Sequence, residues 1–416
     1  MAILVEHISQ LLTMAGSDIP RSGVEKDALG LLRDGAVLVD GRTIVAAGPR
    51  ERVLDHALAA RAERLSAGHR VVTPGFVDAH THPVFAAPRL DDFEARLSGD
   101  DYRSIAARGG GILQTVRGVR GASEADLAAD LRRRAFEFLA AGSTTIEAKS
   151  GYGLDLDNEL KILRAIKTAA ERGPLEIVAT LLGAHAVPPE LAGRKDDYLA
   201  RVCEEMIPRA AAQGLARFVD AFCDDGYFTP ADLERVAEAG AKAGLGLKAH
   251  VEQLSRTGGL AAAVRRGAVS VDHLDHATPQ DFAALAGGRT VACLVPGSNY
   301  FLAKPYPPAR ALLDAGASVA LATDFNPGTC PCLDMRLILS ISCTQMRLSP
   351  AEALVAATIN GAHAAGLGGT HGSLEPGKRA DLVCHDAEDY RELAYWFGSP
   401  RTHWTMKSGK VVYRAP

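Results

Sequence analysis

A (β/α)8 TIM barrel carrying a small β-sandwich domain made by both chain ends is the fold the sequence predicts. Three observations lead there. Beyond Pro74, strand-like and helix-like segments alternate, the pattern of a parallel sheet with helices on its outer face. The strand-like segments number about eight, which favours a closed barrel over an open doubly wound sheet. Both ends are β-rich, yet neither holds enough apolar residues for a core of its own, so the two ends are expected to pack together. The expected division is residues 1–73 and 368–416 for the small domain and 74–367 for the barrel.

In the N-terminal part, residues 36–48 place two short apolar runs around Asp40-Gly41, a strong hairpin signal. Residues 380–384 and 407–413 read as strands with a turn at the other end. Pro74-Gly75 then opens the first barrel strand. The barrel strands are expected at 76–80, 144–149, 176–182, 218–223, 247–250, 269–274, 291–296 and 319–324. Helical patterns lie between them, at 123–141, 157–172, 230–243 and 257–266, with 350–357 after the last strand. Ser123 and Asp126 have the spacing of a capping box. Gly109-Gly110-Gly111 lacks a strand–turn–helix setting and reads as a flexible loop.

Composition narrows the class. The chain has 416 residues, 47% hydrophobic and 23% charged, as a globular protein with a substantial core has. Its net charge of −4 and the lack of a basic stripe argue against nucleic acid as partner. Arg132-Arg133-Arg134 and Arg265-Arg266 read as solvated helix faces. No apolar run reaches membrane-spanning length, and the first residues lack a secretory pattern. Seven cysteines, odd in number and sparse, point to a reducing, cytoplasmic setting. Cys330-Pro331-Cys332 departs from the redox spacing Cys-x-x-Cys, so its thiols read as structural.

Chemistry collects where a barrel carries it, at the C-terminal strand ends. The first strand runs into His80 and His82. In extended chain, residues two apart face one way, so both imidazoles aim at one point. His185 follows the third strand, His250 ends the fifth, His273 lies on the sixth, and Asp324 closes the eighth. One such histidine is ordinary core; five with an aspartate on one rim indicate a metal centre. His80, His82, His250 and Asp324 are the expected ligands, leaving room for a water whose pKa the cation lowers towards ~7. Asp324 is expected to move that water's proton to the leaving nitrogen, and His273 to stabilise the carbonyl oxygen. His276 reads as either a supporting partner or a surface residue. The fourth strand has no lysine able to bridge two metals, and Lys149 lies on the second, so one metal is expected.

Five stretches resemble the amidohydrolase superfamily, and more narrowly its imidazolonepropionase members, over nearly the whole barrel. They are residues 74–82, Gly109-Gly110-Gly111-Ile112, Lys149-Ser150-Gly151-Tyr152-Gly153-Leu154, residues 182–190 (Leu-Gly-Ala-His-Ala-Val-Pro-Pro-Glu), and residues 322–328 (Ala-Thr-Asp-Phe-Asn-Pro-Gly). The first and last occur in many amidohydrolases; the third and fourth, residues 149–154 and 182–190, are far narrower. The resemblance implies hydrolysis of the ring amide C–N bond of 4-imidazolone-5-propanoate to N-formimidoyl-L-glutamate, in histidine degradation. It further implies one divalent metal, zinc first with iron also accepted, and a homodimer. Substrate-binding positions map to Arg89, Tyr102, Tyr152, His185, Asn326, Gly328 and Thr329. A guanidinium such as Arg89 suits the substrate's propionate.

One position departs from the family pattern. Many members carry Glu three residues after the third metal histidine; here Gln253 stands there, preceded by Glu252. An amide cannot exchange a proton as a carboxylate does, so Gln253 is expected to hold substrate, and the role of Glu252 is open. The same departure, with Arg89, weighs against the alternative of a deaminase acting on a nucleobase-like ring. A non-catalytic amidohydrolase scaffold is disfavoured because the ligand set is complete.

Overall fold

The computed structural model describes residues 2–16, 18–100, 104, 105 and 108–416. Fifteen strands, numbered in chain order, form two sheets among these residues. Strands β1 (Ala2–Leu12), β2 (Leu31–Asp40), β3 (Thr43–Pro49) and β4 (Glu63–Pro74) precede the barrel. Its strands are β5 (Phe76–Asp78), β6 (Ser143–Lys149), β7 (Glu176–Ala184), β8 (Phe218–Cys223), β9 (Gly246–Val251), β10 (Ser270–His273), β11 (Val291–Leu294) and β12 (Val319–Leu321). After it come β13 (Leu382–His385), β14 (Thr402–Lys407) and β15 (Lys410–Arg414).

The two chain ends share one seven-stranded mixed sheet, ordered β15-β14-β13-β4-β1-β2-β3. Strand β4 is the seam, parallel to β1 on one side and antiparallel to β13 on the other. Alternation fills both faces. Val5, Val37, Val39, Val72, Leu382 and Trp404 share one apolar cluster, while Leu4, Ala36 and Leu38 pack with Val53 of the short helix Arg50–Leu54. The expected joining of the ends is therefore what the chain does.

The barrel is a run of eight strands in sequence order, each parallel to the next. It closes between its first and last strands through Asp324 N donating to His80 O (3.0 Å) and His82 N donating to Phe325 O (2.9 Å). Closure thus occurs at the residues that matter chemically. Strand ends depart from expectation by a few residues: β5 and β12 stop at Asp78 and Leu321, so His80, His82 and Asp324 sit on the turns just beyond.

Outward positions of β8 to β12, such as Val219, Leu247, Val271, Ala292 and Val319, pack against the helices in one large core. The inward positions are divided. On one side small apolar groups fill the barrel: Val291, Cys293, Ala320 and Ala322. On the other side stand five buried ionisable groups, Glu147, Lys149, Asp220, Lys248 and Asp272.

Two sequence readings need correction. Arg134 is not part of a solvated face. It is buried, stacks over the Phe85 ring at 3.6 Å and donates to the carbonyls of Pro83 (2.7 Å) and Phe85 (2.9 Å). Its neighbours Arg132 and Arg133 are exposed, as expected. Nor is the triple glycine a free loop. Asp92 Oδ2 accepts from Gly111 N at 2.8 Å, and Gly111 has φ 67°, a conformation glycine adopts without strain. Ser123 caps its helix as predicted, accepting from Asp126 N at 3.1 Å.

Candidate active site

A cavity of about 450 Å3 opens at the C-terminal end of the barrel. Its wall includes His82, Arg89, Tyr152, His185, His250, Gln253, His273, Asp324, Asn326, Gly328 and Thr329. His80 lies one layer deeper and is fully buried. Tyr102 falls outside the described residues. All other residues expected at the site converge here.

The four expected ligands meet. One ligand nitrogen from each of His80, His82 and His250 lies within 4.8 Å of the others. The Nε2 atoms of His82 and His250 face each other at 3.4 Å. Asp324 Oδ1 stands 3.7 Å from Nε2 of both His80 and His82. Two of the rings are fixed from behind: His80 Nδ1 donates to Asp272 Oδ2 (2.7 Å), and His250 Nδ1 reaches both carboxylate oxygens of Asp220 (3.1 and 3.0 Å). A carboxylate accepts only, so each of these rings keeps its Nε2 lone pair for the centre. Burial is the main cause that holds all three imidazoles well below their ordinary pKa, hence neutral at pH 7.

This donor set fits a divalent cation. His80 Nε2, which faces the centre, is buried without a hydrogen-bond partner. Neutral imidazoles with convergent lone pairs and one carboxylate form a tetrahedral-type set. Burial pushes the Asp324 carboxyl up to about 8, a cost a cation would offset. Asp324, Glu252, His273 and Leu274 all have φ between 55° and 80°, so strained backbone clusters on this rim.

The remaining residues are distributed by role. His273 is buried, with its pKa brought down to about 4 by burial, and its Nδ1 has no partner. His185 Nδ1 donates to Gly151 O at 2.9 Å, leaving Nε2 as acceptor. Tyr152 is buried with its ring 5.9 Å from that of His82. Arg89 Nε donates to Thr115 Oγ1 (2.9 Å), and the guanidinium lies against Gly328. Asn326 is engaged within its own turn: Oδ1 accepts from the amides of Gly328 (2.8 Å) and Thr329 (2.7 Å), and Nδ2 donates to Asp324 O and Thr329 Oγ1 (both 2.7 Å).

The open question about Glu252 has a geometric answer. Its carboxylate is buried and accepts from the amides of Thr257 (2.7 Å), Gly258 (3.0 Å) and Leu260 (3.2 Å). It pins the loop after β9 and is not among the cavity-lining residues. His276 is exposed, and its amide donates to Glu252 O at 2.8 Å. Asp224, at the end of β8, pins the same loop by accepting from the amides of Gln253 (2.8 Å) and Leu254 (2.7 Å).

Sequence reasoning missed Asp220 and Asp272, and the cavity-lining Arg96, Phe222, Tyr227 and Lys304. A signal for a polar barrel interior was present on strands β6 and β9. Lys248 and His250, and Glu147 and Lys149, alternate with apolar residues in strands otherwise buried, which marks a polar inward face.

Comparison with known proteins agrees with this geometry. The model of the amidohydrolase family matches residues 71–412. The imidazolonepropionase of Geobacillus kaustophilus is 43% identical over 99% of this chain and 97% of its own. That of Pseudomonas aeruginosa is 46% identical over 92% of this chain and 95% of its own. Two zinc-bound crystal structures share the fold at low identity. An adenosine deaminase from Xanthomonas campestris has a TM-score of 0.72 at 21% identity, covering 98% of this chain and 92% of its own. An atrazine chlorohydrolase from Arthrobacter aurescens has a TM-score of 0.73 at 18%, covering 99% and 95%. With its ligand cluster, its cavity and these near-full-length relatives together, the chain belongs to the amidohydrolase family, within its imidazolonepropionase branch.

Proposed function

We propose that this chain hydrolyses the ring amide C–N bond of 4-imidazolone-5-propanoate, giving N-formimidoyl-L-glutamate, with zinc as the resident metal. The observation that carries the reading is that His82, His250 and Asp324 of the ligand cluster share the wall of one cavity, sized for a small molecule, with Arg89. Zinc held by His80, His82, His250 and Asp324 supplies a Lewis acid and a water acidified towards neutral pH.

The chain's own groups do the rest. Arg89 pairs with the propionate in a fork, setting the distance from carboxylate to scissile bond. Gln253, His185 and Tyr152 hydrogen-bond the ring, and Gly328 and Thr329 border the carboxylate. His273, neutral at pH 7, donates to the oxygen that gains charge as the carbonyl carbon becomes tetrahedral. Asp324 takes the proton of the attacking water and delivers it to the departing ring nitrogen. Glu252 takes no part in proton transfer, since its lone pairs are committed to three backbone amides.

The test is an absorbance assay with freshly generated imidazolone propionate, with and without chelator, alongside elemental analysis of the purified protein. Chelator-sensitive loss of substrate without ammonia release is expected. Ammonia release would favour the deaminase reading instead, as would turnover of a ring lacking a carboxylate.

A further inference from the structure

The reaction above leaves a group of buried charges unused. Glu147, Lys149, Asp220, Lys248 and Asp272 fill the barrel interior directly beneath the ligand cluster. Ionised groups are costly to bury unless paired, and a barrel interior is usually filled with branched apolar side chains. A cluster of this size therefore calls for a reason.

Lys149 is its hub. Its ammonium is completely buried and lies 2.6 Å from Asp220 Oδ2, 2.9 Å from Glu147 Oε1 and 3.4 Å from Asp272 Oδ2. Asp220 is the carboxylate behind His250, and Asp272 the carboxylate behind His80. One cation thus stands between the only two side chains, among the described residues, that fix a ligand imidazole through its Nδ1. Asp272 is steadied on its other oxygen by Ser270 Oγ at 2.6 Å. Lys248 differs: it reaches Glu147 Oε1 (3.1 Å) and Ala79 O (2.6 Å) and contacts neither aspartate, although its charge acts on both from farther off.

We infer that Lys149 is a positioning residue for the metal centre proposed above: it ties the Asp220–His250 and Asp272–His80 pairs into one unit and so fixes the angle between the two rings. Without it, neither buried carboxylate has a lysine in contact, and only the more distant charge of Lys248 remains to offset their repulsion. They separate, each carrying its imidazole with it, and the convergence of the Nε2 atoms is lost. Losing such an outer partner of a metal ligand costs metal affinity even though no ligand atom is removed.

The test is zinc affinity of the full chain, by competition with a chromophoric chelator, beside the thermal stability of each metal-free protein. Lys149→Met and Lys149→Gln remove the charge, the second keeping an N–H donor towards Asp220. Lys248→Met removes a buried ammonium whose charge also acts on both aspartates but which contacts neither, so it separates loss of charge from loss of contact. The expected result is zinc binding about tenfold weaker or more in both Lys149 variants and within about threefold of wild type in Lys248→Met. All three variants are expected to lose stability. Equal loss of affinity in the Lys248 variant, unchanged affinity in the Lys149 variants, or failure of the Lys149 variants to fold would each overturn the inference. A wild-type chain that binds no zinc would remove the metal centre itself, and this inference with it.

Discussion

Gly328→Ala tests the carboxylate clamp without touching a charged group. A Cβ built on Gly328 would lie 2.5 Å from Arg89 Nη1 and 2.6 Å from Nη2, far inside contact distance. The backbone would not resist the change, because Gly328 is not among the residues with positive φ. Its amide keeps its bond to Asn326 Oδ1. The flexible guanidinium is therefore the part that gives way, and it leaves the place where the propionate is to bind. A hydrogen-bonded charged contact is worth ~1.5–3 kcal/mol, so loss of the fork weakens binding roughly 10- to 150-fold. The clamp holds ground state and transition state alike, so KM rises while kcat is nearly unchanged. Steady-state kinetics with imidazolone propionate measure both, and thermal unfolding should show little shift. The double variant Gly328→Ala/Arg89→Ala should be no worse than Arg89→Ala alone, since both remove one interaction. A KM near wild type in Gly328→Ala, or additive losses in the double variant, would show that Arg89 does not hold the carboxylate.

Three other perturbations probe the remaining parts. His80→Ala should lose bound metal and turnover together, so stoichiometric metal in that variant would contradict the ligand set. Glu252→Gln leaves one or more buried backbone amides unpaired, at ~1–3 kcal/mol of stability, while metal content and most of kcat persist; abolished turnover at unchanged stability would return Glu252 to the proton path. His385, fully buried in β13 beside Thr73, has its pKa brought down to about 3, chiefly by burial. Between its ordinary value and about 3 the unfolded chain binds one proton more than the folded one, so stability falls as pH falls through that window. The slope for that proton is ~1.4 kcal/mol per pH unit. His385→Gln should flatten the pH dependence of unfolding by about that amount between roughly pH 5.5 and 4, and identical slopes would refute the assignment.

Much of this site was legible because it is written in strand ends. His80 and His82 announce themselves by spacing, and His250, His273 and Asp324 by falling at the end of apolar runs. The support beneath them was legible only in part, since alternation marks polar inward positions but not which charges meet there. Strand β6 reads Ser-Thr-Thr-Ile-Glu-Ala-Lys and yet is buried throughout. Its charged inward positions are tolerated only because β8, β9 and β10 bring partners for them, and such pairing across strands leaves no local trace. Arg134 was misread for the same reason: the carbonyls that bury it belong to Pro83 and Phe85, about 50 residues earlier. Glu252 was ambiguous because a left-handed φ at that position turns its carboxylate away from the face that strand periodicity assigns to it.

The placing of β4 has a consequence for biosynthesis. Pro74 and Leu382 are register partners, so this strand waits for a neighbour that the ribosome delivers about 300 residues later. At ~5–20 residues per second the delay is on the order of 15–60 s. Throughout it, β4 offers a bare margin to which a second nascent chain can add. Glu63, Arg64 and Arg70 are charges of the kind that discourage such joining. Arg70 acquires Asp386 as its partner, at 2.9 Å, only when the late strand arrives, so the same side chain that keeps strangers off the margin afterwards fastens the rightful occupant to it.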